Sequence, residues 1–376
     1  MTKTAYSAPQ IFDGQTAHRN CALLVEHGLI VAVVPLAAIP QDAKRMEFQT
    51  GILSPGFIDL QVNGGGGRML NDAPSLEAIK IICAAHRQFG STSLLPTLIT
   101  DTPQITAKAV AAAIAAQDAK VQGFAGLHLE GPHLSVARQG AHDPKLIRHM
   151  SDDDLRAMLD AKQTLNTLLT TVAPESVTPA QIRAMANEGI IVSLGHSDCD
   201  YKTAMACFGA GASMVTHLFN AMSQMGNREP GLVGAALDCG LVSAGLIADG
   251  FHVHNATLRA ALKSKTGPGA LFLVTDAMST VGSNITSFEL NDRTILRQGG
   301  RLTLADGTLA GADIDMISTV RFAAQNLGLS NFEALAMATS APACAIGQEQ
   351  FIGTLQAGSK ADLMHLTDGL EIVAVY

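Results

Sequence analysis

From about residue 57 onward, short apolar runs alternate with stretches of helical period. The runs are GFIDLQV, STSLLPTL, FAGLHLE, LLTTVAP, IIVSLGH, SMVTHLF, VSAGLIAD and LFLVTDA. They are rich in Val, Ile and Leu and do not alternate with polar residues, as strands buried on both faces require. Amphipathic segments over 75–89, 102–119, 151–167 and 178–189 predict helices between them. Ser151 with Asp154 has the form of a capping box. Thr178-Pro179 puts Pro at a first helical position, and Gly189 closes that helix. The link between the sixth and seventh runs holds only a short helical candidate near 231–239. Eight strand–helix units over residues 54–352 predict an α/β fold, a (β/α)8 TIM barrel. A doubly wound open sheet is the competing arrangement.

The ends read differently. Residues 1–53 and 353–376 hold short β-like pieces, such as CALLVEHGLIVAVVP and LEIVAVY, with no helical period. They predict one small β domain that brackets the barrel. Residues 283–312 set turn signals (NDR, QGG, ADG) between β-like pieces, which predicts a β-hairpin insert after the eighth strand.

Composition narrows the partners. Lys+Arg 25 against Asp+Glu 33 gives a net charge of −8, which argues against a nucleic-acid or acidic-membrane surface. A small anionic ligand needs only a local basic pocket. The six cysteines form no C-x-x-C pair, so free thiols in a reducing cytosol are expected. The N-terminus has no apolar signal region and no run of 18 apolar residues occurs, so a soluble cytoplasmic protein is expected.

The chemistry lies where the runs stop. Glu130 ends the third, His196 the fifth, His217 the sixth and Asp276 the eighth. In a (β/α)8 barrel the C-terminal strand ends converge on one mouth. Each residue alone has a plain structural explanation: a paired carboxylate, a core histidine, a helix cap. Together, one Glu, two His and one Asp make an open metal site with a carboxylate beside it, and three protein ligands plus water is the layout of a catalytic zinc. A bound cation then offsets the desolvation of Glu130 at the edge of the core.

These residues lie in stretches that resemble the N-acetylglucosamine-6-phosphate deacetylases of the amidohydrolase superfamily. The stretches are PGFIDLQVNGGGG, HLEGPHL, GAHDP, LGHSDC, THLFNAM, REPGLVG, ADGFHV, VTDAM, DGTLAGA and GTLQAGSKADL, in order along nearly the whole chain. The resemblance implies a barrel with a small β-sandwich built from both termini. It implies hydrolysis of the N-acetyl group of N-acetyl-D-glucosamine 6-phosphate to glucosamine 6-phosphate and acetate. It implies one divalent metal, zinc first and iron(II) or another ion second, held by Glu130, His196 and His217. Asp276 is then the catalytic acid/base. His142, Arg228 and His252 hold the sugar phosphate, assisted by backbone near Asn220 and Ala221. A homodimer, with Arg228 and His252 supplied across the interface, is also implied.

One departure matters. Many superfamily members carry H-x-H on the first strand, where this chain has Gln61-x-Asn63, and no Lys sits on the fourth run to bridge two metals. This places the chain with the single-metal branch. Gln61 is expected either to donate to the substrate carbonyl or to be a structural amide at the barrel floor. His128 is expected to face the barrel layers or the helices, and His133 to stand beside the ligands. NGGGG lacks the Lys of a phosphate loop and reads as a turn over the site, with Asn63 among its polar groups. Arg228 has a competing partner in neighbouring Glu229. Deacetylation of N-acetylgalactosamine 6-phosphate or of another N-acyl substrate, and a metal-free scaffold, are the alternative functions.

Overall fold

The computed structural model describes residues 3–291, 293–305, 307 and 309–376. Its centre is an eight-stranded parallel sheet rolled into a near-closed barrel. The strands are β1 (Phe57–Val62), β2 (Ser91–Ile99), β3 (Leu127–Glu130), β4 (Leu168–Val172), β5 (Ile191–Leu194), β6 (Met214–Val215), β7 (Ser243–Leu246) and β8 (Leu271–Leu273). All eight fall on the apolar runs read from the sequence, β2 running one residue past its run to Ile99, so the closed barrel stands over the open doubly wound sheet. Its helices include α1 (Leu76–Arg87), α2 (Pro103–Asp118), α3 (Asp152–Thr164), α4 (Pro179–Asn187), α5 (Tyr201–Ala210), α6 (Gly231–Asp238), α7 (Asn255–Ser264) and α8 (Met316–Asn326).

Local chemistry explains the helix starts. Ser151 and Asp154 form a reciprocal capping box on α3, and Thr178 with Gln181 does the same on α4, where Pro179 occupies the first turn. Each cap satisfies backbone N–H groups that the first helical turn leaves without partners.

The barrel interior is layered. Ile58, Leu60, Leu95, Leu169, Met214 and Phe272 fill its lower part, closed from below by Ala343 and Ile346. Above them comes a polar layer. His128 bonds Thr97 Oγ1 at 3.2 Å and Thr171 Oγ1 at 2.8 Å, and Thr171 bonds Thr216 at 2.6 Å. His128 therefore faces the barrel interior. Burial, chiefly, pushes its imidazole down to about 4, so it is neutral. The ionisable residues sit above this layer.

Outside the barrel, strands Thr4–Ser7, Cys21–Glu26, Leu29–Pro35 and Lys44–Glu47 form one sheet. A second sheet combines Gln10–Phe12, Ala17–His18 and Ile52–Pro55 with Leu363–Leu366 and Ile372–Val375, so it draws on both ends of the chain. The stretch expected as a hairpin insert forms four antiparallel strands, Ser287–Leu290, Arg293–Gln298, Arg301–Thr303 and Leu309–Ala312. Two of the residues read there as turn signals, Asp292 and Asp306, lie outside the described residues.

Candidate active site

Glu130, His142, His196, His217, Asn220, Ala221, His252 and Asp276 line one cavity of about 190 Å³ at the C-terminal end of the barrel, with Asn63, Ile99, Ile247 and Met278 among its other walls. The backbone is bent to present three of them: φ is +48° at His196, +30° at His217 and +52° at Asp276. Such left-handed conformations cost non-glycine residues about 1–3 kcal/mol each and gather where the surrounding structure enforces them. Gly131, after Glu130, also has positive φ, and a Cβ there would collide with Thr100 Oγ1.

The hydrogen bonds assign each imidazole. His196 Nδ1 lies 2.8 Å from the Arg138 carbonyl, which can only accept, so Nδ1 carries the proton and Nε2 presents a lone pair. That Nε2 is 3.3 Å from Glu130 Oε1 and 3.0 Å from His217 Nε2, and His217 Nε2 is 3.1 Å from the same Oε1. His217 Nδ1 is buried without a partner. Three acceptor atoms thus converge, and this donor set fits a small divalent cation. Burial lowers the His217 imidazolium, but its bond to Glu130 outweighs that and raises it. Without a metal, a proton on His217 does the cation's work.

His142 also crowds this group, within reach of Glu130 and His196. Its tautomer assigns it another part. The Thr100 N–H donates to His142 Nδ1 at 3.2 Å, so Nε2 holds the proton, 3.9 Å from Glu130 Oε2. A protonated nitrogen cannot ligate, which makes His142 a donor facing the cavity, and burial pushes it down to about 3, so it stays neutral.

Gln61 does not line the cavity. Its amide nitrogen donates to Glu130 Oε1 at 3.1 Å and Asp276 Oδ1 at 3.0 Å, which uses both hydrogens. The amide therefore sits between the two carboxylates at the top of the barrel rather than at its floor. Asn63 donates to the same Asp276 oxygen at 2.7 Å. Burial, reinforced by the charge of Glu130, pushes Asp276 up to about 6.

His252 Nδ1 bonds Asp249 Oδ2 at 2.6 Å and the ring lines the cavity of its own chain. Arg228 is exposed and outside that cavity. Neighbouring Glu229 accepts from the Tyr201 and Gly231 N–H groups on its Oε1. His133 turns away, with Nδ1 on the Arg148 carbonyl at 3.1 Å. The sequence reading did not single out Thr100, Asp249 or Asp59. Asp249 had a local signal, since it stands three residues before His252. Asp59 stands two residues before Gln61 on β1, but the strand register shifts between Asp59 and Val62, so strand alternation does not relate their faces.

The amidohydrolase family profile matches residues 52–375. An N-acetylgalactosamine-6-phosphate deacetylase of Shewanella sp. (strain ANA-3) is 44% identical over 95% of this chain and 90% of its own length. The crystal structure of an N-acetylglucosamine-6-phosphate deacetylase from Pasteurella multocida superposes with a TM-score of 0.94 at 34% identity, covering 100% of this chain and 98% of that one. A mutant N-acetyl-D-glucosamine-6-phosphate deacetylase from Mycobacterium smegmatis, in complex with N-acetyl-D-glucosamine-6-phosphate, gives 0.91 at 32% with the same coverage. By profile, relatives and barrel alike, this chain belongs to the amidohydrolase family.

Proposed function

We propose that this chain is a metal-dependent deacetylase that hydrolyses N-acetyl-D-glucosamine 6-phosphate to glucosamine 6-phosphate and acetate. The observation that carries the reading is the pairing of two unlike groups over one cavity: a cluster of three acceptor atoms, and a half-buried carboxyl with a raised pKa. Glu130, His196 and His217 are the metal residues. Zinc suits them, because ligand atoms about 2.0–2.1 Å from one tetrahedral zinc lie about 3.3 Å from one another. One metal is the reading, since Gln61 and Asn63 stand where many superfamily members carry the two imidazoles of H-x-H. A bound divalent ion supplies Lewis acidity, which acidifies water and draws charge onto an amide oxygen.

The chain's own residues do the rest. Gln61 and Asn63 hold Asp276 Oδ1, which leaves Oδ2 as the oxygen that takes a proton from water and returns it to the leaving amine. His142 Nε2–H donates to bound substrate, and Ile99, Ile247 and Met278 keep water from the acetyl group. His252, oriented by Asp249, and Arg228 grip the phosphate. Arg228 reaches it from a partner subunit of a homodimer, which its exposure outside its own cavity supports. The six free cysteines suit a reducing cytoplasm. Among the described residues no helix is long and apolar enough to cross a membrane.

The Shewanella relative favours a second reading, N-acetylgalactosamine 6-phosphate. Measuring kcat/KM of the zinc-loaded protein on both epimers, each with and without phosphate, decides. The reading stands if phosphorylated N-acetylglucosamine leads. A lead for the galactose epimer exchanges the two readings, and acetate release from neither removes both.

A further inference from the structure

A closed barrel needs its first and last strands joined. Here the parallel ladders run from β1 round to β8, and among the described residues the two end strands' extensions meet at one isolated bridge, Val62 to Ala277. Lower down, another segment is wedged into the seam. The Ile58 N–H donates to the Ala338 carbonyl and the Leu273 N–H to the Met337 carbonyl, each at 2.8 Å. Between wedge and bridge lies Asp59, wholly buried on β1.

Asp59 joins the two sides. Its Oδ2 accepts from the Thr275 hydroxyl at 2.6 Å, and its Oδ1 accepts from the Thr275 N–H at 3.2 Å and the Gln61 N–H at 3.3 Å. Thr275 Oγ1 accepts in turn from the Ala277 N–H at 3.2 Å. The Asp276 N–H donates to the Gln61 carbonyl at 3.0 Å. These bonds flank Asp276 on both sides, where the backbone holds φ at +52°. Three donors converge on one carboxylate. An amide in its place offers a single accepting oxygen, and an apolar side chain offers none.

We propose that Asp59, acting through Thr275, is a positioning residue: it latches the first barrel strand to the last and so aims the Asp276 carboxylate into the cavity. The inference rests on the reading of Asp276 as the proton carrier. The residues assigned to the metal stand at the ends of β3, β5 and β6, away from this seam, and neither Asp59 nor Thr275 lines the cavity. The latch bonds the backbone on both sides of Asp276 and the Gln61 N–H, but no residue assigned to the metal directly, and its signature is a loss of kcat with KM and metal retained.

The test uses the zinc-loaded protein, the single variants Thr275→Val, Thr275→Ser and Asp59→Asn, and one double variant. Valine keeps the shape of threonine and removes the hydroxyl. It should lower kcat about 10²-fold, the typical cost of a small misplacement. KM should stay within about twofold and the metal content should stay native. Thr275→Ser should recover most of the activity. Asp59→Asn combined with Thr275→Val should be no worse than the poorer single variant, because both remove one coupled unit. Amide hydrogen exchange of residues 275–277 should quicken in Thr275→Val. A lower Tm with native kcat per metal-loaded chain would reduce Asp59 to a stabilising group and overturn the proposal, as would loss of metal. Failure of the functional reading is distinguishable: wild type then releases acetate from neither sugar phosphate, and unchanged exchange in Thr275→Val alone overturns the latch.

Discussion

Glu130 is a buried carboxylate and Asp276 a half-buried one, and the same Gln61 amide donates to each, at 3.1 and 3.0 Å. Yet they are driven in opposite directions. Burial alone would raise Glu130, but its bonds to His196 and His217 outweigh that and hold it well below the usual carboxylate range. Burial raises Asp276 too, and there the Glu130 charge adds to it, so it reaches about 6. The difference comes from the neighbours. Imidazoles surround one carboxylate, while amides and another carboxylate surround the other. One group is built to stay charged and hold a cation, the other to pick up and release a proton near neutral pH.

Four experiments press on that contrast. Glu130→Gln keeps the shape and removes the charge. It should release the metal and lower kcat by about 10³-fold or more, the loss of several kcal/mol of Lewis-acid stabilisation. Elemental analysis and rate measurement check it, and full metal occupancy would erase the distinction between the two carboxylates. Asp276→Asn should do the reverse, keeping near-native metal while kcat drops about 10²-fold or more. If metal leaves with activity, Asp276 is a ligand.

Arg228→Ala probes the edge of the site. It should cut the preference for phosphorylated over unphosphorylated sugar by roughly 10–10²-fold, the worth of one charged hydrogen bond. An unchanged preference takes Arg228 out of the phosphate site. The smallest effect concerns stability. The pKa of Asp276 is raised on folding from 3.8 to about 6. The folded chain therefore binds the proton more tightly, and stability falls as pH rises through that window, with the loss complete above it. Metal-free Asp276→Asn lacks this penalty. It should melt a few degrees above metal-free wild type at pH 7.5, with the gap closing below about pH 4. A gap that persists at low pH assigns it to packing instead.

The barrel was legible in the sequence because strands buried on both faces must be written in Val, Ile and Leu, and a strand end is where such a run admits a Glu or His. That grammar brought Glu130, His196, His217 and Asp276 to one mouth. It could not assign the tautomer of His142, which depends on an N–H of Thr100 from a different strand end. It left Gln61 with two roles, because the amide's partners lie 69 and 215 residues away in the chain. Nor could it place Arg228, expected at the phosphate with Glu229 as the competing partner: the side chain is exposed and Glu229 Oε1 takes two backbone N–H groups. The Asp59–Thr275 tie stayed hidden for the same reason: it spans 216 residues and joins strands that share no ladder.

The positive φ angles at His196, His217 and Asp276 have a consequence for anyone who randomises these positions. Asn, Asp and His are the side chains, glycine aside, that accept that backbone shape most readily. The residues that the conformation tolerates overlap with those the chemistry needs, so a library at these codons is filtered twice. An alanine scan there measures backbone relief and collapse together with lost reactivity. Asparagine is the cleaner blank at all three, because it leaves the turn in place and removes the proton-carrying or metal-binding atom.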